Sequence, residues 1–170
     1  MLPLHLEHYG ILIRCATRDD KPAWISLAED VAEIFGNPNM PRDAEFHSYM
    51  EGKISKNEAL IAVTQDTGEC LGVIGFSKTH NRITWFGVFE KHRERGIGSE
   101  LLRLALAQLD SSRSITVETY RAGYAPGEPA RHVYHKFGFV DVDNTIYDHL
   151  GNPRCRMEIA PGNCRTVTSR

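Results

Sequence analysis

The segment Val88 to Leu102, V-F-E-K-H-R-E-R-G-I-G-S-E-L-L, restricts this chain more than any other. An apolar run leads through a basic, glycine-bearing loop into an amphipathic stretch, Gly98 to Asp110. Leu101, Leu102, Ala105 and Leu109 share one face of that stretch, and Leu104 and Leu106 widen it. A helix with so broad an apolar stripe has to be covered by a sheet. The order strand, loop, helix also builds an anion site, because the first N–H groups of a helix lack internal partners and its dipole adds positive charge there. Gly96 and Gly98 remove side chains that would keep a ligand off the backbone. Lys91, His92, Arg93 and Arg95 add charge nearby, and Ser99 offers a hydroxyl.

The pattern alone is equally open to a plain connection with solvated charges. A Walker-type loop is excluded, since G-x-x-x-x-G-K-[ST] occurs nowhere. A dinucleotide fingerprint finds Gly96, Gly98 and, roughly 20 residues downstream, Glu118. Against it, the third glycine position is Leu101, the loop is long where a Rossmann turn is tight, and the segment follows a meander instead of opening the fold.

Around this segment the chain alternates between the two hydrophobic periods. Ile11 to Thr17 is a strand, and Asp19-Asp20-Lys21-Pro22 starts a helix that buries Trp24, Leu27, Ala28, Val31, Ile34 and Phe35 and stops at Gly36. A second helix lies around Arg42 to Lys53. Ala59 to Gln65, Cys70 to Lys78 and Arg82 to Phe89 are strands joined by short turns, which favours antiparallel neighbours. Ile115 to Tyr120 is a strand, Glu128 to Phe137 a helix closed by Gly138, and Phe139 to Val142 and Arg154 to Ile159 are the last strands. The expectation is an α/β (α+β) chain whose mainly antiparallel sheet carries one strand–helix–strand crossover in its middle.

At 170 residues the chain is read as one domain over 1–170, its core from 11 to 160 and its ends loose. A formal charge of -2 supplies no domain-wide basic field, so no nucleic-acid partner is expected. The N-terminal stretch lacks the basic head and unbroken apolar core of a signal peptide, and no run approaches the ~20 apolar residues that span a bilayer. Cys15, Cys70, Cys155 and Cys164 show no C-x-x-C spacing and read as free thiols of a reducing compartment, the cytoplasm. His132 and His135 have no carboxylate or cysteine at metal-site spacing, so no metal is expected.

Arg93-Glu94-Arg95-Gly96-Ile97-Gly98 resembles the R/Q-x-x-G-x-G/A signature of the GNAT N-acetyltransferase superfamily, and Tyr134-His135-Lys136-Phe137-Gly138-Phe139 is similar to its Y-x-x-x-G-F ending. The two stand in order with a strand between them, and the likeness runs from Ile11 to Ile159. It implies a sheet of about 6–7 strands with helices on both faces. It also implies acetyl-CoA as donor, an amine as acceptor, and a homodimer by analogy. Arg93, Glu94, Arg95, Gly96, Ile97, Gly98 and Ser99 would hold the pyrophosphate. The backbone of Phe86, Gly87 and Val88 would meet the thioester, and Tyr134 would be the general acid. Ala130, Val133, Tyr134 and Phe137 also follow helical spacing, so Tyr134 is equally placed to fill the core.

Many members carry asparagine seven residues before the tyrosine, where this chain has Gly127; local coenzyme contacts are expected from Ala130 and Arg131 instead. Glu90, His80 and Glu118 are candidate bases near strand ends, beside removal of the proton by water. Acids such as Asp43, Glu45, Asp141, Asp143 and Asp148 either attract a cationic acceptor or are ordinary surface charge. A regulatory module that binds coenzyme A without catalysis would share the phosphate turn.

Overall fold

Alternating and wholly apolar runs become the strands of one sheet in the computed structural model, which describes residues 4–6 and 10–165. In chain order the elements are β1 Leu4–Leu6, β2 Ile11–Cys15, α1 Lys21–Val31, α2 Ala44–Ser55, β3 Ala59–Thr64, β4 Cys70–Ser77, β5 Arg82–Val88, α3 Ile97–Leu106, β6 Ile115–Tyr120, α4 Glu128–Lys136, β7 Val140–Asp143 and β8 Arg154–Ile159. The sheet order is β1-β2-β3-β4-β5-β6-β8-β7. β5 and β6 are parallel, joined by the α3 crossover, while every other pair is antiparallel.

The expected architecture is present, with eight strands among the described residues where 6–7 were expected. The added one is β1, a three-residue edge strand whose His5 breaks the apolar run. α1 ends earlier than its periodicity suggested, at Val31; the chain then turns through residues 32–36, with Gly36 at φ +65°. The expected loose ends fall largely on residues 1–3 and 166–170, outside the described residues.

Helices cover both faces. Trp24, Leu27, Ala28 and Val31 of α1 and Phe46 and Met50 of α2 pack on Ala59, Ile61, Val63, Val73 and Trp85. On the other face Leu101, Leu102 and Ala105 of α3 and Tyr134 of α4 pack with Phe137 and Phe139 on Leu60, Ala62, Leu71, Ile74, Phe76 and Ile83. β4, covered on both sides, is buried throughout, which is why its sequence runs apolar instead of alternating.

Two local features then open the sheet between β5 and β6. Their pairing covers only Arg82↔Thr116 and Ile83↔Val117. Asn81 fastens that end: its Nδ2 donates to Asp110 O at 2.9 Å and Ser114 O at 3.0 Å, its Oδ1 accepts from Asp110 N at 2.8 Å, and its own carbonyl accepts from Thr116 N. Beyond it, Phe76 pairs with Ile83 but Gly75 with Trp85, so Thr84 is an extra residue on β5. Such a bulge bends a strand and reverses which residues face which side. Ile83 therefore packs toward α3, Trp85 toward α1, and Phe86 and Val88 again toward α3.

Candidate active site

The parted strands enclose a cavity of about 860 Å³ that runs between the two faces of the sheet. On the α3 side it is lined by Phe86, Val88, Gly96, Ile97, Gly98, Ser99, Ala130, Val133 and Tyr134; on the α1 side by Ile34, Phe35, Trp85, Tyr120 and Arg154. Phe89 N donates to Leu71 O of the β4 side, and alternation along a strand therefore turns the Phe86 and Val88 amides toward the gap.

The basic loop enters α3 through Gly96, at φ +79°, a left-handed conformation that glycine takes without steric cost. The first intrahelical bond runs from Glu100 N to Gly96 O, so the amides of Ile97, Gly98 and Ser99 precede it and face the cavity end unpaired. Gly98 serves a different need: a Cβ there would stand 3.2 Å from the Phe86 ring, so glycine lets the helix start close to β5. Arg93 lines the cavity and donates through Nε to Val88 O at 3.3 Å. Glu94 lines it as well and holds φ +64°. Lys136 donates to Ser99 Oγ at 3.3 Å, bringing a second cation to the helix start. Glu69, from the β3–β4 turn, accepts from Lys91 and meets His92, and these bonds hold its carboxyl below the usual range.

Two of the expected cofactor contacts are placed elsewhere. Arg95 is exposed and turned to His92, at 3.2 Å, and it does not line the cavity. Arg131 is buried beneath β6 and β8, where its guanidinium holds Asp141 by two bonds and Tyr120 O by a third, and it does not line the cavity. Its neighbour Ala130 lines the cavity. His80 sits in the β4–β5 turn at the fastened end, away from the cavity, whereas Glu90 and Glu118 line it. His132 lines it too, while His135 is turned to Phe139 O; among the described residues no group of three or more His, Cys, Asp or Glu stands close enough to hold a metal ion.

Tyr134 is 3% exposed and packs against Phe86 at 5.9 Å and Phe139 at 5.4 Å between ring centroids. Its hydroxyl has no hydrogen-bond partner among the described residues. It is also not one of the sealed unpaired atoms, which are the indole nitrogens of Trp24 and Trp85, so it opens onto the cavity. Burial pushes its phenol well above the ordinary value, leaving it protonated at any working pH. One residue thus fills the core with its ring and lines the cavity.

Gly127 has a local explanation. A Cβ there would lie 2.3 Å from Tyr120 Cγ, so the Tyr120 ring fills the space that a side chain at this position would need. Sequence reasoning missed Tyr120, Trp85 and Arg154 as cavity residues. Their strands were legible, but only the bulge at Thr84 and the two-pair junction reveal that these strands part beside them.

A mixed sheet parted beside a glycine-capped helix start, with amides at that helix and along the open strand that have no partner among the described residues, is a site for an anionic ligand with an extended arm. A family model described as the acetyltransferase (GNAT) domain matches residues 28–160, and the chain belongs to this family; it is an acetyl-CoA-dependent N-acetyltransferase. An acetyltransferase of the GNAT family from Staphylococcus aureus Mu50 is 17% identical, over 88% of this chain and 99% of that one, with a TM-score of 0.67. A protein of Bordetella pertussis assigned to the GnaT family of acetyltransferases is 16% identical, over 93% and 99%, with a TM-score of 0.67. Spermidine N-acetyltransferase from Vibrio cholerae, solved with CoA and spermine, is 16% identical, over 91% and 97%, with a TM-score of 0.65. At such identities the likeness is one of fold. No curated protein matches the chain. The residues in place fit acetyl-CoA: free amides for a diphosphate, a gap with inward amides for the thioester arm, and a volume within the range of small-molecule sites. Among the described residues, no helix is long and apolar enough to cross a membrane.

Proposed function

We propose that the enzyme transfers acetyl from acetyl-CoA to a primary amine of a small molecule or peptide by direct attack, in the cytoplasm and as one domain over 1–170. The observation that carries this is the Tyr134 hydroxyl, the one polar end of a buried aromatic cluster, opening on the gap beside Phe86. The amides of Ile97, Gly98 and Ser99 with Arg93 receive the diphosphate, and an inward amide of Phe86 or Val88 polarises the thioester carbonyl. The neutral amine nitrogen bonds to the carbonyl carbon and the C–S bond breaks. Tyr134 donates its proton to the departing sulfur, and the ammonium proton leaves through water at the open end, where Glu118 and Glu90 stand. The phenol recovers its proton from solvent, and free thiol and the acetylated amine are the products.

Replacement of Tyr134 by Phe retains the packing and removes only the hydroxyl. Turnover should fall about 10²- to 10⁴-fold, with CoA affinity by calorimetry and the unfolding temperature unchanged. Wild-type turnover in Tyr134→Phe would remove this residue from the mechanism.

A further inference from the structure

We infer that Tyr49 of α2 is a positioning residue for the transfer: through Thr84, its hydroxyl fixes the bulge of β5 from which the Phe86 and Val88 amides are presented to the thioester. This rests on the transferase reading above and concerns a residue outside the cavity.

Past Ile83, β5 has no partner on its β6 side, since pairing there ends at Ile83↔Val117. The course of its free half is therefore set by β4 and by whatever grips the extra residue, Thr84. A bulge leaves such a residue out of the ladder, so the ladder alone does not hold it. Thr84 Oγ1 and Tyr49 Oη lie 2.6 Å apart, a hydrogen bond at the short end of the range for two hydroxyls. The room for it comes from Gly75, the β4 residue beside the bulge. A Cβ there would stand 2.3 Å from the Tyr49 hydroxyl and 3.4 Å from Thr84 Oγ1. One helical turn on, Lys53 Nζ donates to Phe76 O at 2.7 Å, so α2 also holds β4 on the other flank of the same irregularity.

Packing does not require the Tyr49 hydroxyl. The ring stacks on Phe46 at 6.2 Å and meets Trp24 edge-on at 6.1 Å, and phenylalanine would keep both contacts. Tyr49 does not line the cavity whereas Thr84 does, so Tyr49 acts through Thr84 and not on a substrate. An amide that polarises a carbonyl works only at hydrogen-bond distance, and a displacement of about 1 Å costs about 10²-fold in rate. The diphosphate end, at the start of α3, lies on the opposite face of the sheet from Tyr49, so CoA affinity does not depend on this bond.

The full chain carrying Tyr49→Phe is compared with wild type in three ways. These are the infrared carbonyl stretch of bound acetyl-CoA isotopically labelled at the acetyl carbonyl, calorimetry with CoA, and turnover with spermidine, phenethylamine and L-phenylalaninamide. In wild type the stretch should lie below that of free acetyl-CoA. In Tyr49→Phe it should return most of the way to the free position, with CoA affinity unchanged and kcat lowered about 10- to 100-fold. Thr84→Val should reproduce this, Thr84→Ser should restore it, and the double variant should lose no more than either single one. If none of the three amines is turned over, the carbonyl stretch decides alone; if Tyr49→Phe does not fold, Thr84→Val against Thr84→Ser decides. A wild-type stretch in Tyr49→Phe overturns the inference and leaves the transferase reading intact. So does a loss of CoA affinity as large as the loss of kcat, which would make the bond merely structural. A wild-type complex with no carbonyl shift strikes the role of the amides first, and the inference falls with it.

Discussion

Asn81 offers the sharpest test of how the gap between β5 and β6 is built. It is 1% exposed, and its side chain makes three hydrogen bonds to Asp110 and Ser114 from a backbone at φ +53°. Glycine at this position keeps the backbone geometry and removes the three bonds, leaving the Asp110 N–H and the Ser114 carbonyl without them, while the Asp110 carbonyl keeps its bond from Arg113 N. At about 1 kcal/mol for each bond the loss is ~3 kcal/mol. For a chain of this size that corresponds to about 6–12 °C in unfolding temperature. Alanine adds the cost of a left-handed backbone, about 1 kcal/mol more. The substitution Asn81→Asp keeps the shape but turns an acceptor toward two carbonyls, and should be at least as destabilising as glycine. Thermal unfolding followed by circular dichroism reads all three. Below the transition, acetyl-CoA binding by calorimetry should weaken in the glycine variant, because only two residue pairs then hold β6 to the strand bearing the inward amides. If Asn81→Gly melts within about two degrees of wild type, where the estimate requires at least three times that, the fastening role assigned to Asn81 is wrong.

Gly127→Ala should destabilise by about 1–3 kcal/mol and shift acceptor use more than CoA affinity, since the new Cβ displaces Tyr120; matched unfolding and kinetic measurements check this. Burial pushes the Asp20 carboxyl up, but the paired bonds from Arg14 and those from Thr17 outweigh it and hold it below the ordinary range. Asp20→Asn should therefore cost about 2 kcal/mol at pH 7. Because the folded value is depressed, that gap persists above about pH 4 and closes as pH falls through the folded value. Urea titrations across pH that showed a constant gap would contradict it.

Much of the fold is written in local pattern. The period of Ile115 to Tyr120 and Arg154 to Ile159 gives those strands to the residue, and the apolar stripe of Leu101, Leu102 and Ala105 requires the sheet it covers. Gly96 and Gly98 mark the helix start, although for separate reasons that sequence cannot distinguish: a left-handed turn at one and a ring contact at the other. The motif position of Arg131 says nothing of which side of α4 faces the gap; its partner Asp141 lies on a later strand, and only the folded register joins them. The aromatic wall is hidden from sequence for a related reason. Phe35, Trp85 and Tyr120 are distant along the chain, and one extra residue at Thr84 decides that Trp85 and not Phe86 faces α1.

Because the opening passes through the sheet, the cavity has a doorway on each face. With the donor over α3 and the acceptor past α1, as the proposed reaction has them, neither would have to clear the other's path before the next could enter. An inhibitor that joins both in a single molecule would have to be threaded between β5 and β6, with a linker no bulkier than the pantetheine arm it copies.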